Sequence, residues 1–274
     1  MPIAGYPSPM RLPLALLTLF ALPAAAQEPS ACIALAQNAA QGAPVAYGDP
    51  LPQGTVRLHF LNHASFALET PGGVTAVTDY TGLIGNPDVV PDVVTMNNAH
   101  DTHFTDHPDP RIPHVRRGWG PPGPPARIDL TVGDLRIRNV TTDTRGPFGE
   151  GARANGNSIF LFEVAGLCIA HLGHLHQRLS TDQRARIGRV DVVMVPVDGG
   201  YTMDQRAMAE VVEDLHARLI LPMHWFGPET LAAFLAKSAG GFEIVRAGGP
   251  EVEISRASLP RRPTILLLDP ALIP

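Results

Sequence analysis

Apolar and polar residues alternate along 56–61, with Val56, Leu58 and Phe60 on one side of the pattern and Arg57 and His59 on the other; this period of two predicts a strand. A second strand is expected over 65–69. Pro71-Gly72-Gly73 supplies a turn, and 74–78 gives a third strand that ends on Asp79. Further strands are expected over 92–96 and over 159–170, the latter broken by a turn near Ala165-Gly166. The nearly unbroken apolar run 190–197 has the character of a strand buried on both faces. Helical spacing emerges only later, over 203–216 and 229–237. A strand-rich first half and a mixed second half fit two sheets covered by helices better than one doubly wound sheet. Between 104 and 126 the prolines stiffen a long loop, of the kind that either overlies a functional site or is a plain surface excursion. No internal repeat is present.

Composition narrows the class. The chain has 274 residues, 45% of them hydrophobic, and a formal net charge of -5; that is material for a sizeable core, in one large domain or two small ones. There is no dense Lys/Arg block, which argues against nucleic acid as the main partner, because phosphate binding needs clustered positive charge. Arg11, the apolar run 12–22 and Ala24-Ala25-Ala26 form an export leader with a cleavage point after Ala26. The run is shorter than the roughly 20 residues that span a bilayer. The expectation is a periplasmic or secreted protein with no stable membrane insertion after cleavage; an uncleaved anchor is the alternative. The organisation expected is a leader (1–26), a short helix and linker (27–53), a main domain (54–258) and a tail (259–274). Cys32 and Cys168 are the two cysteines. Export would permit a bridge between them, and a plain buried thiol at Cys168 is the alternative.

The candidate chemistry lies in the histidines. Of the eleven, His63, His100, His103, His171, His174, His176 and His224 sit near expected strand ends, where a rigid scaffold presents ligands to a cleft. The densest group is Asn97-Asn98-Ala99-His100-Asp101-Thr102-His103, directly after the 92–96 strand. Neutral imidazoles so placed can converge on zinc, iron, copper or nickel. His171 is expected to pack within its strand, and His107, His114, His176 and His216 carry no assigned role. Tyr201 and Trp225 line either a pocket or the core.

Taken in order, Leu61-Asn62-His63-Ala64-Ser65-Phe66, Asp79, the histidine group, Gly156-Asn157-Ser158-Ile159-Phe160, His171-Leu172-Gly173-His174 and Pro222-Met223-His224 resemble the metallo-β-lactamase superfamily. The resemblance runs over roughly 58–226 and is closest to the branch of the ascorbate-phosphate lactonases. It implies an α/β fold, an αββα four-layer sandwich with a metal cleft at one edge of the sheets. The family motif His-x-His-x-Asp-His falls on Asn98 to His103, so Asn98 and Thr102 replace a His and an Asp. The next family His falls on Asp143, the bridging Asp on His174, and the last His on His224. The implied metal ligands are His100, His103, His174, His224 and Asp143, with His63, Asp79 and Asn98 beside them as orienting partners.

A carboxylate bridges two ions through two oxygens, whereas a neutral imidazole has one lone pair. His174 at the bridging position therefore favours one ion: zinc first, with iron or manganese as alternatives, held by His103, His174 and His224 with a position open to water. The function expected is an exported metal-dependent hydrolase. It would act on a small-molecule ester, lactone, amide or phosphoester through metal-bound hydroxide, with Asp198 or Asp143 managing the proton. The rival readings are a non-catalytic periplasmic metal-binding protein with a saturated shell, an iron-dependent redox protein, and a decayed site that keeps the fold. Fold alone does not name a substrate.

Overall fold

Val56, Leu58 and Phe60 of strand β1 (Thr55–Asn62) are buried in the space between two sheets, as their alternation requires. The computed structural model describes residues 1, 30, 32 and 48–274, apart from 122–123, 147–149 and 239. The expected leader apart from Met1, and most of the helix expected after it, fall outside the described residues.

After β1 come β2 (Ser65–Glu69), β3 (Thr75–Val77), β4 (Val93–Met96), β5 (His114–Arg117), β6 (Asp129–Val132), β7 (Leu135–Thr144), β8 (Arg153–Val164) and β9 (Leu167–His171). Helices then enter: α1 (Thr181–Ile187), β10 (Val192–Pro196), α2 (Gln205–Leu215), β11 (Leu219–Met223), α3 (Pro228–Ser238), β12 (Glu243–Arg246), β13 (Glu251–Ser255) and β14 (Thr264–Leu267). The six-stranded sheet has the order β13-β1-β2-β3-β4-β5, and the eight-stranded sheet β12-β14-β11-β10-β9-β8-β7-β6.

Between the sheets, Phe60, Phe66, Phe160 and Phe162 are fully buried with Leu58, Ile137 and Met194. Burying a side chain of that size is worth roughly 1.5–3 kcal/mol. The outer face of the eight-stranded sheet is covered by the helices, through Ile187, Met208, Val212, Leu215 and Phe234 against Val193, Val195 and Ile220. The outer face of the six-stranded sheet is covered differently among the described residues. Loop residues Tyr80, Ile84, Ile112 and Ile273 pack on Leu61, Ala67, Val77 and Met96. Farther along that face, the fully buried Arg57 pairs with Glu69 and, at 2.8 Å, with Glu253. The α/β sandwich of two face-to-face sheets is the one expected.

Two segments differ from expectation. The proline-rich stretch read as a loop contains β5, which pairs parallel to β4 at the sheet edge from Val93↔His114 to Met96↔Arg117. Residues 259–274, read as a tail, contain β14, which sits inside the eight-stranded sheet between β11 and β12. Cys32 is bonded to Cys168 of β9, with Cα atoms 5.7 Å apart. No described helix is long and apolar enough to cross a membrane.

Strands β9, β10 and β11 are mutually parallel, as are β3 and β4. The segments leaving the carboxyl ends of these strands and of β1 carry His63, Asp79, His100, His103, His174, Asp198 and His224. Carboxyl ends of parallel strands are where open α/β sheets place ligands.

Candidate metal centre

Asn97, the first residue after β4, joins the two sheets. Its N–H donates to Asp79 Oδ1 at 3.0 Å, its side-chain amide donates to Ser158 O at 2.8 Å, and its carbonyl accepts from Ser158 N–H at 3.0 Å. On the other side of the cleft Gly173 has φ +59, and a Cβ there would lie 2.2 Å from the Asn97 amide nitrogen and 2.5 Å from Asn157 Oδ1. Glycine is therefore required, and the turn it makes lets His174 N–H donate to Asn157 Oδ1 at 2.8 Å. His171 lies beneath. Its Nδ1 accepts from Gly173 N–H at 3.1 Å, so its Nε2–H donates to Ala64 O at 2.8 Å. Both ring nitrogens are thus engaged in the protein, in line with the packing role expected for it.

Above this floor six imidazoles gather. His63, His103 and His224 place ligand nitrogens within 4.8 Å of one another, and His100, His103 and His174 do the same. His103 belongs to both groups. Its Nδ1–H donates to Asp79 Oδ2 at 2.5 Å, which leaves its Nε2 lone pair facing His224 Nε2 at 3.1 Å. His224 N–H donates to His63 O at 2.6 Å, and the two rings lie 4.0 Å apart. His224 Nδ1 is 3.1 Å from Asp198 Oδ1, at pairing distance but outside hydrogen-bond geometry. On the opposite side His174 Nδ1 meets His176 Nε2 at 2.7 Å. His100 is exposed, stacks on His174 with rings 5.4 Å apart, and contacts Thr102 Oγ1 at 3.1 Å.

The backbone is strained at this place. His63, Asp79 and His224 have φ of 30°, 43° and 59°, a region that non-glycine residues enter at a cost of order 1–3 kcal/mol. Burial keeps His63, His103, His174 and His176 neutral. It pushes His63 down to about 3, aided by His224 and His103, and His176 down to about 4, aided by Arg145. His103 and His174 are also held well below the ordinary value, first by burial and then by their neighbouring imidazoles. Asp79 is pushed up to about 7 by burial, against the pull of His171 and the Asn97 N–H. For Asp198 burial acts upward, but the contacts from His224 and Thr202 and the Gly200 N–H prevail and hold it low.

These residues fit a metal ion. His63 Nε2 and His174 Nε2 are buried with no hydrogen-bond partner, and the His103 and His224 nitrogens face each other across 3.1 Å. Buried polar atoms are almost always partnered, and neutral imidazole lone pairs converging on one point are the donor set that a late divalent ion completes.

The ligand set differs from the one expected. Asp143 is exposed and accepts from Asn155 N–H at 2.9 Å, at the bulge where β7 and β8 shift register; it belongs to neither histidine group. His174 and His224, expected together on one ion, fall in different groups. His63, expected to orient a ligand, is a member of one group itself. Asn98 pairs across a bridge with Asn157 and lines the adjoining cavity. Asp198 is committed: Oδ2 accepts from the N–H groups of Gly200, Tyr201 and Thr202 at 2.6–3.0 Å, and Oδ1 from the Thr202 hydroxyl. Such a carboxylate lies beside His224 with most of its acceptor capacity already used within its own turn. His176 had no assigned role, and its spacing in His174-x-His176 was the available signal.

The sequence profile of the β-lactamase superfamily domain matches residues 57–224. The chain is 27% identical to a UPF0173 metal-dependent hydrolase of Anaeromyxobacter dehalogenans, over 72% of this chain and 87% of the relative. A second UPF0173 metal-dependent hydrolase, from Carboxydothermus hydrogenoformans, is 24% identical over 62% of this chain and 84% of its own length. Among solved structures, a Thermotoga maritima protein assigned to the Zn-dependent hydrolases of the metallo-β-lactamase superfamily superposes with a TM-score of 0.57 at 28% identity, over 78% of this chain and 98% of that one. Igni18, a metallo hydrolase from Ignicoccus hospitalis, shares the fold with a TM-score of 0.51 at 18% identity, over 73% and 99% of the two chains. Profile, relatives and fold agree, and the chain belongs to the metallo-β-lactamase superfamily.

Proposed function

We propose that the protein is an exported metal-dependent hydrolase of a small-molecule ester, lactone, amide or phosphoester, with one tightly held metal ion on His63, His103 and His224. The observation that carries this reading is the convergence of these imidazole nitrogens, two of them backed by buried carboxylates. A bound divalent ion supplies Lewis acidity, which polarises a carbonyl or phosphoryl oxygen and activates water. With Nδ1–H committed to Asp79, His103 has a single Nε2 lone pair, so the two histidine groups compete for it and one ion is favoured over two. An all-imidazole set suits zinc, and iron next; manganese prefers oxygen ligands.

The other residues divide the remaining work. Asp79 and Asp198 fix the rings of His103 and His224, and carboxylate partners of this kind also raise ligand basicity. His174 presents a buried, unpartnered Nε2 with His176 behind its Nδ1. Burial and the neighbouring imidazoles hold it neutral, so its Nε2 lone pair can accept a hydrogen bond from a group bound in the cleft. Export is supported by the Cys32–Cys168 bond, which persists in oxidising compartments, and by the leader pattern before Gln27.

Purified protein should hydrolyse at least one member of a panel of esters, lactones, amides and phosphoesters. Chelation should abolish the activity and added zinc should restore it. Full activity after verified metal loss would refute the reading. Intact-mass measurement of a periplasmic fraction should give a chain starting near Gln27; a full-length cytoplasmic product would refute export alone.

A further inference from the structure

Beside the histidine cluster lies a cavity of about 250 Å³ whose wall includes Asn98, His100, Arg145, Arg153, His174 and Tyr201. No carboxylate lines it among the described residues, although Glu150 lies against Gly146 of the wall. Arg153 donates to Gly120 O at 2.6 Å, and Arg145 to Gly146 O at 3.1 Å and Thr202 O at 3.2 Å. The neutral Gly120 carbonyl holds the Arg153 guanidinium in place. A guanidinium has five N–H donors, so Arg153 keeps most of its donors for a ligand. Asp143, two residues from Arg145 in the chain, is turned to the Asn155 N–H and is not part of the wall.

We infer that this cavity is an anion subsite: it holds a phosphate or carboxylate group of the substrate, with Arg153 as the principal contact and Arg145 as the second. The inference rests on the hydrolytic reading and narrows its substrate to a small anion. His100 and His174 belong both to the cavity wall and to the metal-competent cluster, so an anion seated on the arginines brings the adjoining bond to the imidazoles. The guanidinium fork matches the geometry of both oxyanions. Tyr201, 51% exposed, meets Phe226, 62% exposed, with rings 5.3 Å apart, and Phe226 lies 5.4 Å from His63. This aromatic pair at the rim gives the apolar part of such a molecule a surface to rest on.

The test is calorimetric titration at fixed ionic strength of inorganic phosphate and, separately, acetate into the full protein, with metal per chain measured in the same samples. Wild type should bind one of the two, and which one binds separates phosphate from carboxylate recognition. Arg153→Gln should weaken binding on the order of tenfold or more, as loss of a charge-assisted contact does, with metal content unchanged. Arg153→Lys should recover part of the loss. Where Arg153→Gln lowers the melting temperature, Arg145→Gln provides the same comparison. Wild-type affinity in both glutamine variants would overturn the inference, as would no binding of either anion. Arginine-dependent binding that survives chelation supports the subsite even where the hydrolytic reading fails.

Discussion

The two sides of the histidine cluster are built from the same side chain and are braced in different ways. On the side of His63 and His224, two of the three imidazoles are set against buried carboxylates, Asp79 and Asp198, and the backbone is forced into the left-handed region at three positions. On the side of His100 and His174 the braces are neutral: His176 behind one ring, Thr102 beside the other, and an open cavity in front. A carboxylate behind an imidazole fixes the ring and strengthens it as a ligand, whereas a neutral partner leaves a proton free to move between nitrogens. The difference teaches that residue type alone does not assign a ligand. The partner behind the ring does, and His103, shared by both groups, is where the two sides join.

His103→Ala should have the largest effect, because it breaks both groups at once: metal should be lost and hydrolysis should fall to background, as read by elemental analysis and rate. His63→Ala and His174→Ala then separate the two sides. The first should weaken metal binding by more than about 100-fold, since even an orienting partner is worth roughly 10- to 100-fold. The second should leave the ion in place and lower the rate; equal metal loss in both would erase the distinction. Asp79→Asn and Asp198→Asn should each cost about 10- to 100-fold in metal affinity, while His176→Gln should cost little affinity and some rate.

The smallest effect concerns pH and the metal-free protein. His63 and His176 are neutral in the fold down to about 3 and about 4, below the ordinary 6.5. As pH falls below about 6.5 the unfolded chain takes up protons that the folded chain refuses. The histidine contribution should therefore be fully present above pH 6.5 and decline until those folded-state values are passed, while Asp79, raised to about 7, acts in the opposite direction between about 4 and 7. Melting temperature against pH checks the sign, and His63→Gln should flatten the lower part of the curve.

Much of this arrangement was legible in the chain. The strand at 65–69 matches β2, and 203–216 and 229–237 enclose the central turns of α2 and α3. Strand β7 was not legible. Its Arg136 and Arg138 are charged, yet Arg138 is bonded to Glu163 within the sheet and to carbonyls of Arg186 and Ile187. β14 follows Pro260 and Pro263 and resembles a tail until its partners on both sides are seen. In the site, His100, His103, His174 and His224 were readable from motif order, because a strand end fixes where the following residues go. The role of His63 was not, since the distance between strand ends of two sheets has no trace in sequence. Asp143 was placed by a loose alignment across a register shift, which moves a side chain off the cleft. Asp198 is followed by Gly199-Gly200, a turn whose N–H groups an aspartate accepts; that signal was present and favours a positioning role over a base.

The most direct test of the account is metal per chain after gel filtration, measured by elemental analysis on wild type, His63→Ala and Asp143→Asn. The account predicts about one ion in wild type, little in His63→Ala, and an unchanged ion in Asp143→Asn. Two tightly held ions in wild type, or an ion lost with Asp143 and kept without His63, would contradict it.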